Sequence, residues 1–563
     1  MQGTIMEADL TLMQLFERAA RLYGERKITS RLPDRSFHTY RYRDLQRRAR
    51  ALAGALLRAG LEPGDRVATL MFNHSVHLEA YFGIPLAGGV LHTLNPRLPI
   101  EQLAFIANDA ADRFLIVDAA LVPLLEQWRG RTRLERVFVV HPGTKPLLEG
   151  HEAYEELLGT ARGGESFPVA RERDACGLCY TSGTTGDPRG VLYTHRSTVL
   201  HTLAISLADC LCLAHRDTVV PVVPMFHVNA WGLPYAAIMV GAQLVLPGPH
   251  LDPESLLDLF EREQPTLTAG VPSIWMGVLD ALEREPRRWA LPRMRMVVGG
   301  SAPSQALLRG LHRHGQDVVH GWGMTETSPM GTVNSIKLHL ADLPEEELFR
   351  YRASQGLPVP LVDARIMADG AEAPHDGQSM GELQVRGPWV AGSYLGAAPD
   401  AERFTNDGWL RTGDVATIDV EGYVYIVDRI KDLVKSGGEW ISSVHLENAL
   451  MGHPAVREAC VIAVPNERWG ERPLAVVVLE PAASATGEQL RAHIAPLFPK
   501  WWLPDAFEFV DAIPKGATGK FAKLALREQF PAWRWAAEDT QVEEAERVPT
   551  LRVPSGPGSR KAS

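Results

Sequence analysis

Apolar runs of strand length, set beside stretches of helical periodicity, constrain this chain more than any other feature. Residues 65–71, DRVATLM, read as a strand and residues 75–85 as a helix, while the runs 114–117 and 137–140 repeat the strand half of the unit. Repeated units of this kind predict an α/β fold. Upstream, residues 11–24 open with Thr11 and Gln14 in capping-box spacing and set Leu12, Leu15, Phe16, Ala19 and Leu22 on one helical face. Between 381 and 429 the texture changes to short strands, 382–386 and 423–427, separated by Gly, Pro, Asn and Asp turns, which predicts a β-rich subdomain. A second break falls at DRIKDLVKSGGEW, residues 428–440. Beyond it a helix from Ser443, strands 459–464 and 474–479, a helix from Gly487 and a last strand 507–510 make a compact αβ pattern. The expected organisation is a large first domain, residues 1–428, a small second one, 429–535, and a tail, 536–563, too polar to offset the entropy of ordering.

Composition narrows the function classes. The 563 residues exceed what one core usually serves, and 45% apolar with 22% charged residues is the balance of a globular protein. A formal net charge of −10 without an arginine-lysine block argues against nucleic acid as a partner. The first residues carry acids and no small-residue cleavage site, and no window approaches ~18 uninterrupted apolar residues, so the expected location is cytoplasmic with no transmembrane segment. Five cysteines do not make a disulfide framework. Cys176 and Cys179 form a C-x-x-C near Cys210 and Cys212, but the first two fall in an apolar strand pattern, where cysteine serves as a small hydrophobe, so zinc is not expected.

The segment YTSGTTGDPRGV, residues 180–191, follows that strand and packs four hydroxyls and two glycines into Thr181, Ser182, Gly183, Thr184, Thr185 and Gly186. Small residues let backbone N–H groups approach an anion, so the loop is a candidate phosphate cradle. The spacing G-x-x-x-x-G-K-[ST] is not met, which excludes the P-loop ATPase reading. Four further segments carry more glycine and polar detail than a core needs: VVGGSAP (297–303), HGWGMTET (320–327), GWLRTGD (408–414) and PKGATGK (514–520). Singly, Trp322 reads as a core aromatic, Glu326 as a helix cap, Asp414 as a turn former and Lys520 as a surface charge.

Together, YTSGTTGDPRGV, GWGMTET, GWLRTGD, DRIKDLVKSGG and PKGATGK resemble, in order and approximate spacing, the adenylate-forming superfamily of acyl-CoA synthetases, luciferases and peptide-synthetase adenylation domains. The resemblance covers about residues 10–530, and LHTLNPRL (91–98) and PMFHVNAWGLPY (224–235) are similar to bacterial medium- and long-chain fatty acyl-CoA synthetases. It implies a large N-terminal domain and a small mobile C-terminal one with a hinge near Lys431. It also implies that a carboxylic acid attacks the ATP α-phosphate to give acyl-AMP, from which the CoA thiol displaces AMP. On this resemblance Thr181, Ser182, Gly183, Thr184, Thr185, Gly186 and Arg189 hold the phosphates, with Thr184 and Glu326 on Mg²⁺, and Trp322 stacks on adenine. Gly300, Ser301 and Ala302 lie on the other face of the adenine, and His320, Gly321, Gly323, Met324 and Thr325 complete the nucleotide pocket. Asp414 takes the ribose hydroxyls with help from Arg429, and Lys520 assists adenylation. His227, Val228 and Trp231, with Gly323 and Met324, line the acyl site; Lys435, Ser436, Gly437, Gly438, Glu439 and Trp440 face CoA. Lys520, Glu326, Thr184 and His227 are the implied catalytic set, ATP, Mg²⁺ and CoA the implied cofactor and co-substrates, and a homodimer is compatible with the family.

Two departures bear on function. Arg189 stands where the family usually shows lysine, which keeps the charge but changes its shape, so retuned activity is expected. His227 follows Phe226 where amino-acid-activating members place an acid, so an α-ammonium has no partner and amino-acid adenylation is disfavoured. The leading expectation is an ATP-dependent fatty acid–CoA ligase for medium to long chains. The alternatives are a ligase for an aryl or short functionalised acid such as a methylthio-alkanoate, and a non-catalytic acyl-adenylate-binding module.

Overall fold

The computed structural model describes residues 1, 3–140, 148–162, 164–181, 188–437, 439–516 and 520–530. Much of the candidate phosphate loop (182–187), Gly438 and the C-terminal tail therefore lie outside the described residues. Among the described residues four sheets account for the strands. The first has nine strands, of which six run parallel: Lys27–Arg31, Gln243–Leu246, Thr218–Pro221, Leu267–Gly270, Arg295–Val298 and Asp317–Gly323. Antiparallel strands close its edges, Phe37–Arg41 on one side, Met330–Val333 and Leu357–Pro358 on the other. The second, of seven strands, is parallel from His151–Ala153 through Arg136–Val140, Asp112–Asp118, Arg66–Leu70 and Val90–Thr93 to Ala175–Tyr180, and ends on antiparallel Gly190–Thr194. Central parallel strands covered on both faces read as continuous apolar runs, as LTAG and RMVV do here.

The helix Ser75–Leu86 is buried at all twelve positions, as expected of a helix apolar all round. Its one acid, Glu79, is compensated by Arg48 Nε at 2.7 Å and the Tyr154 hydroxyl at 2.9 Å. In Leu12–Tyr23 the Thr11 N–H donates to Gln14 Oε1 at 3.4 Å, and Leu12, Phe16 and Ala19 are buried. Leu22 is 55% exposed, contrary to its expected place on the core face: the stripe runs 12, 16, 19, and the helical repeat carries 22 over its edge.

The third sheet is the β-rich subdomain, five antiparallel strands in the order Ala371–Glu372, Asp363–Ala368, Gly381–Arg386, Leu410–Ile418 and Val424–Arg429. The last of these runs through Arg429. The fourth belongs to the C-terminal region: Glu439–Ile441, Val434–Ser436, Gly470–Leu479 and Val456–Asn466, with Ala506–Phe509 parallel to Gly470–Leu479. Its alternation supplies two cores. Ala459 and Val461 face Leu446, Leu450, Leu490 and Ile494 of helices Ser443–Leu450 and Gly487–Ile494, while Cys460 and Ile462 face Ile513 and Leu526. Cys176 and Cys179 are buried in their strand, where burial pushes the thiols up to about 12 and about 11. Among the described residues no helix is long and apolar enough to cross a membrane.

Candidate functional site

The site lies where strands of the first two sheets end at their carboxyl edges, the usual location for ligands in open α/β sheets. The candidate phosphate loop lies between the antiparallel strands Ala175–Tyr180 and Gly190–Thr194, and its described ends meet: Thr181 N–H donates to the Arg189 carbonyl at 2.9 Å, and Arg189 N–H to Thr181 Oγ1 at 3.1 Å. Ser182, Gly183, Thr184, Thr185 and Gly186 are outside the described residues. In the first sheet the strand Arg295–Val298 leads into Gly300, whose φ of +85° favours glycine, and leaves Ser301 and Ala302 exposed as one wall of a cleft.

The adjacent strand Asp317–Gly323 brings Trp322 to the same cleft. A Cβ on Gly331 would come within 2.5 Å of the Trp322 ring, so the indole rests directly on backbone. Its Nε1 donates to Asp414 Oδ2 at 3.0 Å. Asp414 is 2% exposed, and its Oδ1 takes Arg429 Nε at 2.6 Å, the two residues being register partners on neighbouring strands of the β-rich sheet. Each carboxylate oxygen keeps a further lone pair for a hydroxyl donor. At Gly323 a Cβ would lie 1.6 Å from the Pro329 carbonyl oxygen, so only glycine fits the bend leading into Met324, Thr325 and Glu326. His320 is buried, with Nδ1 3.3 Å from the Ala353 carbonyl oxygen, and burial lowers it to about 4; its ring serves that loop.

Glu326 is 4% exposed; the Tyr394 hydroxyl donates to its Oε1 at 2.7 Å, while Oε2 receives no hydrogen bond from a described residue. A buried carboxylate with one oxygen left open suits a hard, oxygen-seeking cation such as Mg²⁺. Tyr394 was not legible as a site residue, because the sequence around it reads only as a turn-rich stretch.

His227, Val228 and Thr181 line a cavity of about 20 Å³ with Thr93, Asn95 and Phe226, room for about one water. From Val228 to Gly232 every φ is positive, 43° to 75°, a left-handed turn costly for non-glycine residues. It lays Trp231 against the strand end, 3.2 Å from where a Cβ of Gly299 would stand. Burial lowers the His227 imidazole to about 4, with the charges of Lys520 and Arg97 adding to the effect, so it is neutral at physiological pH.

Lys520 belongs to the C-terminal region yet reaches this cleft. Its side chain is open to the cleft, while the protein around it lowers the ammonium to about 8; Arg429 and Lys431 act in the same direction, and Asp414 and Glu326 oppose them. The hairpin Val434–Ser436 and Glu439–Ile441 is built differently. Lys435 Nζ lies 4.8 Å from the centroid of the Trp440 ring, and Trp440 is 43% exposed. Ser436 turns inward to accept from Arg472 Nη1 at 3.0 Å, Gly437 N–H donates to the Trp469 carbonyl at 2.8 Å, and Glu439 is exposed. Among the described residues no hydrogen bond or ion pair joins this hairpin to Glu326, Asp414 or His227. The structure thus gathers Trp322, Glu326, Asp414, Arg429, His227 and Lys520 around one cleft and leaves Lys435 and Trp440 outside it.

Comparison with known proteins bears on the family. The model of the AMP-binding enzyme family matches residues 16–395, and that of the AMP-binding enzyme C-terminal domain matches 445–520. A long-chain-fatty-acid–CoA ligase of Thermus thermophilus is 51% identical, covering 94% of this chain and 97% of that one. A 3-methylmercaptopropionyl-CoA ligase of Ruegeria pomeroyi is 45% identical, covering 94% and 99%. Among solved structures, the anthranilate CoA ligase AuaEII in complex with anthranoyl-AMP superposes with a TM-score of 0.83 at 26% identity, covering 94% of this chain and 99% of that one.

Proposed function

The chain belongs to the AMP-binding enzyme family, and on that premise we propose that it is an ATP-dependent fatty acid–CoA ligase that activates medium to long acids as acyl-AMP and passes the acyl group to CoA. The observation that carries this reading is the meeting in one cleft of Asp414, Glu326 and the Lys520 ammonium. A carboxylate oxygen attacks the α-phosphorus, the bond to the bridging oxygen breaks, and pyrophosphate leaves. Anions crowd together as this happens, so a preorganised ammonium at the α-phosphate lowers the barrier. Asp414 accepts the ribose hydroxyls on its remaining lone pairs, and Trp322 stacks on adenine against Gly300, Ser301 and Ala302. Glu326 with Thr184 would hold Mg²⁺, which supplies charge neutralisation to the phosphates when bound.

The CoA thiol then displaces AMP from the acyl carbonyl. In the present arrangement Lys520 is at the cleft and the Lys435–Trp440 pair is not, which suits the first step. Rotation of the C-terminal domain, residues 429–535, about a hinge at Lys431 exchanges them. ATP and CoA as co-substrates fit a cytoplasmic enzyme.

The cavity of about 20 Å³ beside His227 is far too small for a fatty chain as it stands, so a long acid requires its lining to move, including His227 and Val228 at the start of the left-handed turn. A short functionalised acid, as in the name of the Ruegeria relative, requires less movement and is the second reading. Pyrophosphate release across acids of C3 to C18, with 3-methylthiopropionate included, separates them: activity rising with chain length to a maximum at C8 or beyond supports the first. A maximum on the methylthio acid overturns it in favour of the second, and release with no acid would remove both.

A further inference from the structure

Glu326 and Arg189 are joined by Tyr394, and Arg189 pairs further with Asp400; neither side chain lies in the five segments that carry the family resemblance. Tyr394 is 6% exposed, its hydroxyl on Glu326 Oε1 and its ring 5.1 Å from the guanidinium carbon of Arg189. Arg189 in turn donates from Nη1 to Asp400 Oδ2 at 3.0 Å. The backbone pins the same stretch at both ends of the relay: Ala391 N–H donates to the Glu326 carbonyl at 2.7 Å, and Leu395 N–H to the Gly190 carbonyl at 2.8 Å. Residues 391–400 therefore clasp the candidate metal-binding carboxylate and the exit of the phosphate loop together.

A guanidinium presents its donors in a rigid fork, and one face here is spent on the tyrosine ring. The edge that holds Asp400 cannot hold a phosphate oxygen at the same time. We propose that Asp400 is an internal competitor of the ATP β- and γ-phosphates for Arg189, and that Tyr394 is a positioning residue that fixes the Glu326 carboxylate. The proposal rests on the ATP-dependent reading above. The ion pair is suited to exchange: Arg189 and Asp400 are 50% and 31% exposed, where such pairs are weak, and a phosphate offers the guanidinium more charge than a carboxylate does.

The test is calorimetric titration of the full chain, without acid or metal, using ATP and AMP. Asp400→Asn is expected to bind ATP ~2–5-fold more tightly, the scale of releasing one exposed ion pair, and AMP unchanged, since AMP lacks the two outer phosphates. Unchanged ATP affinity, or equal tightening for AMP, would overturn the competition. Tyr394→Phe keeps the ring under Arg189 and removes the hydroxyl, so metal-free ATP binding is expected to stay put while the Mg²⁺ concentration for half-maximal pyrophosphate release rises roughly tenfold. An unchanged Mg²⁺ requirement would remove Tyr394 from its positioning role. A parent chain that binds no ATP at all would overturn the functional reading itself, an outcome distinct from either of these.

Discussion

The acids of the first domain and the cations of the second are built to opposite specifications. Asp414 is clamped between Trp322 Nε1 and Arg429 Nε, and Glu326 is held by Tyr394; both are almost fully buried. Lys520 stands open to the cleft, and Lys435 with Trp440 stands on an exposed hairpin whose partners, Glu471, Arg472 and Trp469, are all in its own domain. At the joint the ties cross over within five residues. Arg429 is tied to Asp414, whereas Asp428 Oδ2 accepts from Ser443 N–H at 2.6 Å and Arg527 Nη2 donates to the Lys431 carbonyl at 3.2 Å and to Asp432 Oδ1 at 2.8 Å. On the proposed mechanism, groups that serve both reactions are the fixed ones, and groups needed for one reaction at a time are mounted where they can be exchanged.

The largest expected effect breaks that division at its moving side. Lys520→Ala should lose roughly 10²–10³-fold in forming acyl-AMP, the scale of one preorganised charge-stabilising group, yet still convert supplied acyl-AMP and CoA to thioester. Lys431→Pro should do the reverse, since a fixed φ hinders rotation while sparing the starting orientation. Both half-reactions need to be assayed for both variants; equal loss of the two activities in each would rule out alternation about residue 431. On the fixed side, Glu326→Gln should depress pyrophosphate release by roughly 10²-fold through loss of a charged ligand to Mg²⁺. Near-normal release by that variant would remove Glu326 from the metal site.

What could be read beforehand follows the same contrast. Strands Arg66–Leu70, Arg136–Val140 and Gly381–Arg386 and helices Ser443–Leu450 and Gly487–Ile494 fall where apolar period and caps put them, because those signals are local. Trp322, Asp414 and Lys520 stood out because glycine-rich motifs surround them. Tyr394 and Asp400 did not: their partners are 68 and 211 residues away, and nothing in SYLGAAPD marks one residue for a carboxylate and another for a guanidinium. Side-chain direction was equally hidden, so His320 and Ser436, both within motifs, turn inward to Ala353 and Arg472.

Acidity sharpens the comparison without any substitution. In the free enzyme the surrounding protein and the neighbouring Arg429 disfavour the Lys520 charge and lower the ammonium from the ordinary 10.5 to about 8. On the proposed mechanism adenylation uses the protonated form of Lys520, so kcat/KM for ATP should fall as pH rises through about 8, approaching tenfold per unit beyond it. The limb in kcat should lie higher, since bound phosphates favour the ammonium. His227, near 4, contributes no limb between pH 5 and 8. A profile flat from pH 7 to 10 would show that the Lys520 charge is not what the first step requires.

The smallest effect is expected at Arg189, where the resemblance leads to an expectation of lysine. Arg189→Lys keeps the positive charge but gives up the planar face over Tyr394 and the forked donors that meet Asp400. Lysine is a compact charge on a flexible stem, so it can reach a phosphate without the ring beneath it, and its pairing with Asp400 is exposed and weak. The losses and gains offset, and adenylation should stay within roughly tenfold of the parent in either direction, with the change in KM for ATP and not in kcat. Initial rates of pyrophosphate release at varied ATP decide the matter. A fall beyond a hundredfold in kcat would mean that the guanidinium stacked on Tyr394 takes part in holding Glu326 during the reaction, and that the fixed half of the site extends across Arg189.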